Sequence, residues 1–401
     1  MINTVCGRSK KIMLLDAYST RTLACVRSFG ARGISFVVGG QTKHDMSLYS
    51  RYCHERFVYT SPYVSIEAFL GDVARCAKQF KVDWIFPTSE AGILACQLRR
   101  HGLGAELLAP STQQIDILFK KWETIKLAES VGMPVPKTHR IGLQEVDRVG
   151  HLDLNYPVII KANSSSSIQG DRVMQGGDTV YVYTAEDLRA QAAKRLAHCP
   201  EILIQEFING YGVGISGIFQ NGWPVALFGH RRIHETNPLG GPSAVAVSIP
   251  VSDEMRTATT KLMGPTGYTG AAMVEYKIDR ATGTPYLMEV NCRLWGSILL
   301  PLAAGLDLPY LLWKVLNGEG VDPRETVYQE GVIGRQILSD TKHLLSVLKG
   351  RPASWPGHFP KRWETITDYV TLFFSGRVKN LLLTEDDPRP AVGLLMQHLL
   401  A

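Results

Sequence analysis

The stretch Val274–Ser297, VEYKIDRATGTPYLMEVNCRLWGS, predicts a β-hairpin that carries a cluster of metal-binding groups. Side chains alternate across a strand, so Glu275 lies on the polar face of the first arm, and Glu289 and Asn291 share the polar face of the second. A loop over residues 280–284 has a length that suits a hairpin containing glycine. With that loop, Glu275 is predicted to lie directly opposite Glu289.

The predicted apolar face of the second arm consists of Tyr286, Met288 and Val290. Two opposed carboxylates, with Cβ atoms about 5 Å apart, repel each other unless a cation lies between them. Mg²⁺ prefers carboxylate and amide oxygens, so this hairpin could hold one or two such ions. A half-solvated hairpin whose polar face only meets water is the alternative, and the pattern by itself leaves both open.

Composition and charge exclude several classes of protein. The 401 residues are 45% hydrophobic, as in ordinary globular enzymes. The net charge of +6 is modest and the sequence contains no run of five or more like charges, so no nucleic-acid partner is expected. The cysteines are odd in number and scattered without a CxxC pair, which argues against disulfides or zinc and predicts a cytoplasmic location. The run IMLL that follows Lys10 and Lys11 is too short for a signal-peptide core, and no apolar run of 18 residues occurs, so neither a signal peptide nor a membrane partner is expected.

Strand and helix signals alternate over residues 11 to about 110 and predict a parallel α/β unit. The turn after the first strand, at residues 16–20, lacks the GxGxxG sequence, so an NAD-binding unit is not supported. Ser89 and Glu90 follow a strand at the edge where such sheets meet ligands. Capping of the next helix is the preferred interpretation of these two residues.

A second lobe is predicted to follow one helix that runs from Ser111 to Gly132. The run YPVIIK predicts a buried strand that ends in Lys161, and the serine-rich loop ANSSSSIQG comes directly after it. Lysine ammoniums at positions 121 and 161, together with loop N–H groups, could hold a nucleotide phosphate tail. A solvated helix lysine is the alternative for Lys121, and a merely exposed strand end is the alternative for the segment at 205–208.

Eight short motifs follow one another along the chain: KKWET at 120–124 followed by GMPVPKT, PVIIKA at 157–162, IQEFI at 204–208, GHRRI at 229–233 with GGPS at 240–243, VEYKID at 274–279, and MEVNCRLWGS at 288–297. Taken in order and spacing, they resemble the ATP-grasp superfamily, and within it the bacterial carboxylate-amine ligases. The resemblance implies α/β and α+β architecture: a Rossmann-like preATP-grasp domain (1–110), a small lobe with its linking helix (111–200), a large lobe with the metal site (201–324), and a helical C-terminal tail (325–401).

The resemblance also implies roles for individual residues. The phosphate and adenine contacts fall on Lys121, Lys161, Gln205, Glu206, Phe207 and Ile208, and the Mg²⁺ ligands on Glu275, Glu289 and Asn291. Arg293 matches the residue that steadies the transferred phosphate, as an always-charged planar group can. Arg231 or Arg232 is expected to meet the substrate carboxylate or its acyl phosphate. The acidic ribose ligand that the family often has after the hinge strand is absent from residues 209–213.

The implied activity is ATP-dependent joining of a carboxylate to an amine through an acyl phosphate, with release of ADP and phosphate. ATP with one or two Mg²⁺ ions is the expected cofactor, and Mn²⁺ is an acceptable substitute. Small carboxylates and amines, amino acids among them, are the expected substrates, and a homodimer is compatible with the resemblance. An ATP-grasp enzyme that uses bicarbonate or another nucleophile, or a non-catalytic nucleotide-binding regulator, are the alternatives.

Overall fold

The computed structural model describes residues 10–399, which form two compact units. The first unit contains the residues up to 109, residues 168–174 and the residues from 382 onward. The second contains residues 110–167 and 175–381. The four-domain division predicted from the sequence is finer than these two units and stays a prediction.

The first unit contains a sheet of five short parallel strands. These are β1 (Ile12–Leu14), β2 (Phe36–Gly40), β3 (Arg56–Val58), β4 (Trp84–Phe86) and β5 (Glu106–Leu107), in the order β3-β2-β1-β4-β5. Helices α1 (Thr20–Ala31), α2 (Ile66–Phe80) and α3 (Glu90–Gln97), with a 3₁₀ turn at Met46–Tyr49, connect them. The hydroxyl of Ser89 accepts the N–H of Gly92 at 3.0 Å, so its predicted role as a helix cap is confirmed.

The second unit begins with two helices, α4 (Thr112–Leu118) and α5 (Lys121–Ser130), where the sequence predicted one. The single helix predicted from Ser111 to Gly132 is therefore wrong. Its break comes at residues 119–120, and the first two N–H groups of α5 find their acceptors on Asn163 instead of in a preceding turn. The interruption depends on a residue distant in sequence, which the local helical pattern does not reveal.

A four-stranded antiparallel sheet follows, in the order β10-β7-β11-β6. This part of the chain contains β6 (Thr138–Gly142), a 3₁₀ segment (Leu143–His151), β7 (Val158–Ala162), β10 (Val180–Val182), α6 (Ala185–Leu196) and β11 (Glu201–Glu206). Between β7 and β10, the strands β8 (Ser166–Gln169) and β9 (Arg172–Gln175) form a separate hairpin, most of which belongs to the first unit. The apolar side chains of α6 pack on the strands; Leu188, Ala192 and Leu196 are all buried there. Residues 166–169 of the predicted serine-rich loop thus form strand β8.

A larger sheet of seven strands completes the second unit, in the order β16-β15-β12-β13-β14-β17-β18. The strands are β12 (Gly210–Gln220), β13 (Trp223–Glu235), β14 (Ser243–Ile249), β15 (Gly270–Asp279), β16 (Pro285–Asn291), β17 (Ile333–Arg335) and β18 (Val378–Asn380). The helices are α7 (Asp253–Met263), α8 (Leu299–Ala303), α9 (Leu308–Leu316), α10 (Ile337–Lys349) and α11 (Arg362–Thr371), with 3₁₀ turns at Gly264–Thr266 and Pro323–Thr326. The last helix, α12 (Arg389–Leu399), belongs to the first unit.

The C-terminal region is mainly helical, as predicted, and it also adds β17 and β18 to the edge of the large sheet. None of the helices described is both long and apolar enough to cross a membrane. The six cysteines among the described residues are free thiols, and Cys6 lies outside that range.

The hairpin of β15 and β16 has the predicted loop and places Glu275 directly opposite Glu289. This prediction is confirmed. The apolar face of β16 was predicted incorrectly, because the register shifts between Glu275 and Tyr276 and leaves Met288 without a direct partner. Leu287 and Val290 are the buried residues of β16, three positions apart, as a β-bulge in the strand requires.

Candidate active site

A row of side chains crosses one face of the large sheet, perpendicular to its strands. Glu289 of β16 pairs with Glu275 of β15, which pairs with Gly214 of β12, which in turn pairs with His230 of β13. Directly paired residues of antiparallel strands point to the same side of the sheet. The pairing therefore places the two carboxylates and the imidazole on one face, with a glycine between them.

The two glycines Gly212 and Gly214 make room for this arrangement. A Cβ atom on Gly214 would lie 2.2 Å from Cε1 of His230, and one on Gly212 would lie 2.9 Å from Cδ of Arg232. The two side chains of β13 thus lie across the bare backbone of β12. Arg232 thereby reaches over an intervening strand and binds Glu275 at 2.6 Å, through Nη2.

The two carboxylates of the row have opposite electrostatic surroundings. Burial raises the pKa of Glu275, and the guanidinium of Arg232 offsets only part of that rise. Burial also acts to raise the pKa of Glu289, but the ammonium of Lys121, 3.5 Å away, and the Asn291 amide, which donates to Oε1 at 3.0 Å, bring it down to about 2. Glu289 is therefore an ionised carboxylate at neutral pH.

Glu275, Glu289 and Asn291 supply oxygen donors that suit Mg²⁺. A carboxylate has two oxygens, so Glu275 can keep its ion pair with Arg232 and offer the second oxygen to a cation. Within residues 10–399 no cluster of three or more His, Cys, Asp or Glu side chains could hold a metal. A metal at this row would thus rely on two carboxylates and an amide, the set predicted from the sequence.

Lys121 is positioned by an asparagine that the sequence did not single out. The backbone N–H of Lys121 donates to the carbonyl of Asn163 at 2.8 Å, and the N–H of Trp122 donates to Oδ1 of the same residue at 2.8 Å. The ammonium of Lys121 donates to the hydroxyl of Ser165 at 3.3 Å. Asn163 comes two residues after Lys161, so the segment that carries one predicted phosphate lysine also positions the other.

Lys161 lies in β7, and its ammonium donates to Oε1 of Gln205 at 2.7 Å. Gln205 is fully buried and fixed in turn, since its Nε2 donates to the hydroxyl of Thr138 at 2.8 Å. Burial, and secondarily the like charge of Lys121, lowers the pKa of Lys161 to about 8. The side chain of Gln205, predicted as part of the adenine site, is thus occupied with holding Lys161.

The other predicted adenine residues, Glu206, Phe207 and Ile208, stand where the chain passes from β11 to β12 and so from the small sheet to the large one. Glu206 accepts the N–H of Lys137 at 3.3 Å through Oε2, and Ile208 is buried. Phe207 contacts Tyr181 and Trp355, whose ring centroids lie 6.0 and 5.5 Å from its own. This segment is a connection between the two sheets, lined by aromatic rings.

The three predicted catalytic arginines are not all brought together. Arg293 directly follows the metal strand, donates to the carbonyl of Leu294 at 3.0 Å, and contributes to lowering the pKa of Glu289. Arg232 belongs to the row, and its Nη1 also binds Glu235 at 3.1 Å. Arg231 is exposed, as expected of a residue pointing away from the face that carries its neighbours.

The loop that contains Gly240 and Gly241 connects Arg232 to the small sheet. Nη1 of Arg232 donates to the carbonyl of Gly241 at 3.1 Å, and the hydroxyl of Tyr181, in β10, donates to the carbonyl of Leu239 at 2.7 Å. The loop therefore bridges the two sheets at the site.

Comparison with known proteins gives a family for the central part of the chain. Residues 119–297 match the model of the ATP-grasp domain. A carbamoyl phosphate synthase arginine-specific large chain of Neurospora crassa is 25% identical over 242 residues, which are 57% of this chain. The match covers only 20% of that relative's length.

Solved structures show a similar fold. A biotin carboxylase from Campylobacter jejuni in complex with β,γ-ATP aligns with a TM-score of 0.63 and 17% identity, over 80% of this chain and 73% of that one. An L-amino acid ligase from Bacillus licheniformis aligns with a TM-score of 0.57 and 17% identity, over 79% of this chain and 76% of that one. At such identities the likeness concerns the fold alone, and it covers more of the chain than the domain match does.

Proposed function

We propose that this chain, whose residues 119–297 match the ATP-grasp domain, is an ATP-dependent ligase that joins a carboxylate to an amine. The observation that supports the proposal most strongly is the opposed pair Glu275 and Glu289, with cationic side chains around it. Lys121 and Arg232 bind the two carboxylates directly, and the charges of Lys161 and Arg293 help to lower the pKa of Glu289. Such a site suits the concentrated negative charge of a nucleoside triphosphate.

In the proposed reaction, an oxygen of the substrate carboxylate attacks the γ-phosphorus of ATP. A new O–P bond forms, the bond between the γ-phosphorus and the β,γ-bridging oxygen breaks, and ADP leaves with its electron pair. The amine then attacks the carbonyl carbon of the acyl phosphate, phosphate departs, and the nitrogen loses a proton. Both steps need positioned charge, and neither needs a nucleophile from the protein.

The residues of the site divide this work. Lys121 and Lys161 hold the phosphates, while Arg293 and Arg232 stabilise charge on the group being transferred. Glu275, Glu289 and Asn291 would hold Mg²⁺, which supplies neutralisation of phosphate charge when it is bound. Arg231 is exposed, so we give it no part in this reaction. The amides of the loop at 240–243 are candidates for contact with the substrate.

Two other functions remain as alternatives. One structural neighbour is a biotin carboxylase. A carboxylation in which bicarbonate is the acid is therefore the second candidate reaction. A nucleotide-binding regulator without turnover is less well supported, since a protein that only binds has no need for the complete set of metal and transfer groups.

An isotope experiment separates these functions once an acid and amine pair has been found by screening amino acids and small acids for ADP release. A carboxylate labelled with ¹⁸O in its carboxyl group is expected to deliver one labelled oxygen to the released phosphate when the amine is present. Label in AMP would indicate adenylation instead, and dependence of ADP release on bicarbonate would favour carboxylation. Unlabelled phosphate from an active enzyme would refute the acyl phosphate mechanism.

A further inference from the structure

A lysine without a part in the proposed reaction lies on the same face of the large sheet as the two carboxylates. Lys277 stands two residues from Glu275 on β15, and it pairs with Gly212 of β12 as Glu275 pairs with Gly214. Side chains two residues apart on a strand point to the same side of the sheet. Lys277 is therefore a direct neighbour of the proposed metal site.

The ammonium of Lys277 has no bonded partner in the part of the chain that the structure describes. Among residues 10–399 it makes neither a hydrogen bond nor an ion pair. It lies 5.3 Å from the ring centroid of Phe207, a distance suited to a cation–π contact. The residue is partly exposed, so it keeps a surface that a ligand can contact.

The carboxylates that attract Lys277 are already bound by another cation. Glu235 and Glu275 both interact electrostatically with Lys277, but neither forms an ion pair with it. Arg232 binds the two of them, Glu275 at 2.6 Å through Nη2 and Glu235 at 3.1 Å through Nη1. Because one guanidinium occupies both carboxylates, the charge of Lys277 remains available to an anion from outside the protein.

Lys277 also acts on the phosphate lysine of the small sheet. Burial lowers the pKa of Lys161 most, the charge of Lys121 lowers it further, and the charge of Lys277 adds to the same effect. Three ammonium groups from α5, β7 and β15 thus lie close enough to repel one another. An anion that binds between them removes this repulsion, and a polyphosphate is such an anion.

The polar face of β15 leads away from the carboxylates in one direction. Met273, two residues before Glu275 on the same face, is buried and pairs with Asn291 of β16. Lys277, two residues after Glu275, is partly exposed and lies about 7 Å farther along the strand, given the rise of a strand per residue. A nucleotide whose terminal phosphate lies at the carboxylate pair therefore extends past Lys277.

We propose that Lys277 is a third phosphate-binding lysine of this site, and that its ammonium donates to the α-phosphate, the one nearest the ribose. This inference rests on the proposed function, because it takes the pair Glu275 and Glu289 as the end of the site at which the γ-phosphate lies. ATP and ADP share the α-phosphate, so the contact persists after the γ-phosphate has been transferred. Lys277 therefore holds the nucleotide in both states and takes no part in the transfer itself.

Calorimetric titrations of the full-length protein with Mg-ATP and with Mg-ADP test the assignment. Lys277→Met keeps an apolar stem without the charge, and it is expected to weaken both affinities by the same factor. That factor is on the order of tenfold, the usual scale for losing one hydrogen bond to a charged group. Lys277→Arg restores a positive charge at the same position and is expected to recover most of both affinities.

Arg280→Met is the matched control, because Arg280 is exposed on the same hairpin and its loss removes one positive charge without a phosphate contact. It is expected to leave both affinities unchanged, and a loss equal to that of Lys277→Met would show a general effect of charge and overturn the inference.

Three other results would also overturn it. A loss of affinity for ATP alone in Lys277→Met would place the ammonium at the γ-phosphate, and unchanged affinities would show that it contacts no phosphate. Equal losses in Lys277→Met and Lys277→Arg would show that the residue only supports the fold. If the unmodified protein binds neither nucleotide, the proposed function fails and this inference fails with it.

Discussion

The charge of Lys161 provides a quantitative test of the phosphate site. Burial lowers its pKa from about 10.5 to about 8, so the ammonium is in equilibrium with the neutral amine near physiological pH. If the triphosphate binds only to the ammonium form, the apparent Kd for ATP varies with the fraction of Lys161 that is protonated. That fraction falls from about nine tenths at pH 7 to about one tenth at pH 9, since the ratio of ammonium to neutral amine falls tenfold for each pH unit.

ATP affinity is therefore expected to fall about tenfold between pH 7 and pH 9, because the protonated, ATP-binding form is lost as the pH rises. Calorimetric titrations of Mg-ATP at several pH values would measure the decrease. Lys161→Arg, which stays charged throughout this range, is expected to bind ATP with little dependence on pH. A flat pH profile for the unmodified protein would refute the reasoning.

The same titrations compare the two phosphate lysines. Lys161→Ala is expected to weaken ATP binding more than Lys121→Ala, because Lys161 is fixed in a strand and hydrogen-bonded to the buried amide of Gln205. The ammonium of Lys121 is shared between Ser165 and Glu289 at longer distances of 3.3 and 3.5 Å. Equal or reversed losses would contradict this ranking.

Three further predictions concern the carboxylate row. Glu289→Gln should abolish ADP formation and leave the circular dichroism spectrum unchanged, because it removes an ionised ligand from a partly exposed position; normal turnover would refute the metal assignment. Arg293→Lys should bind ATP nearly normally but release phosphate on the order of a hundredfold more slowly, the scale of one lost transition-state donor, and an undiminished rate would refute its role. Gly214→Ala should displace His230, lower the free energy of unfolding by about 1–3 kcal/mol and reduce turnover. Gly320→Ala is the control, because a Cβ atom at that position meets nothing within 4 Å, and it should leave both thermal unfolding and turnover unchanged.

The local pattern predicted the metal hairpin because its determinants are close together in sequence. A period of two and a five-residue loop predicted that Glu275 lies opposite Glu289, and the structure has that pairing. Next to the loop the register differs by one residue, since Ile278 pairs with Pro285, and the bulge at Met288 restores the predicted pairing. The bulge at Met288 was missed, because one extra residue changes the phase of a strand without any sequence signal as clear as a proline or glycine. The strand that contains Lys161 was predicted in the same way, from a run of apolar residues.

Other parts of the site depend on which elements become neighbours. Asn163 divides the predicted single helix and positions Lys121, but nothing near it in sequence indicates that α5 begins there. Arg232 and Arg231 could be assigned to opposite faces from alternation, yet the sequence did not show which of them reaches a carboxylate. That outcome requires β12 to lie between β13 and β15, with glycines at the crossing points.

The sequence by itself thus determined the chemistry of the site: the carboxylate pair, the amide and the lysines, all set by residue type and by periodicity within single strands or hairpins. Only the tertiary structure decided how these groups are charged and held, since burial and distant neighbours set the pKa of Lys161 and of the two glutamates. It also brought Trp355 to Phe207 across about 150 residues of sequence. Contacts of that kind arise from the packing of whole elements, which a local pattern of residues does not specify.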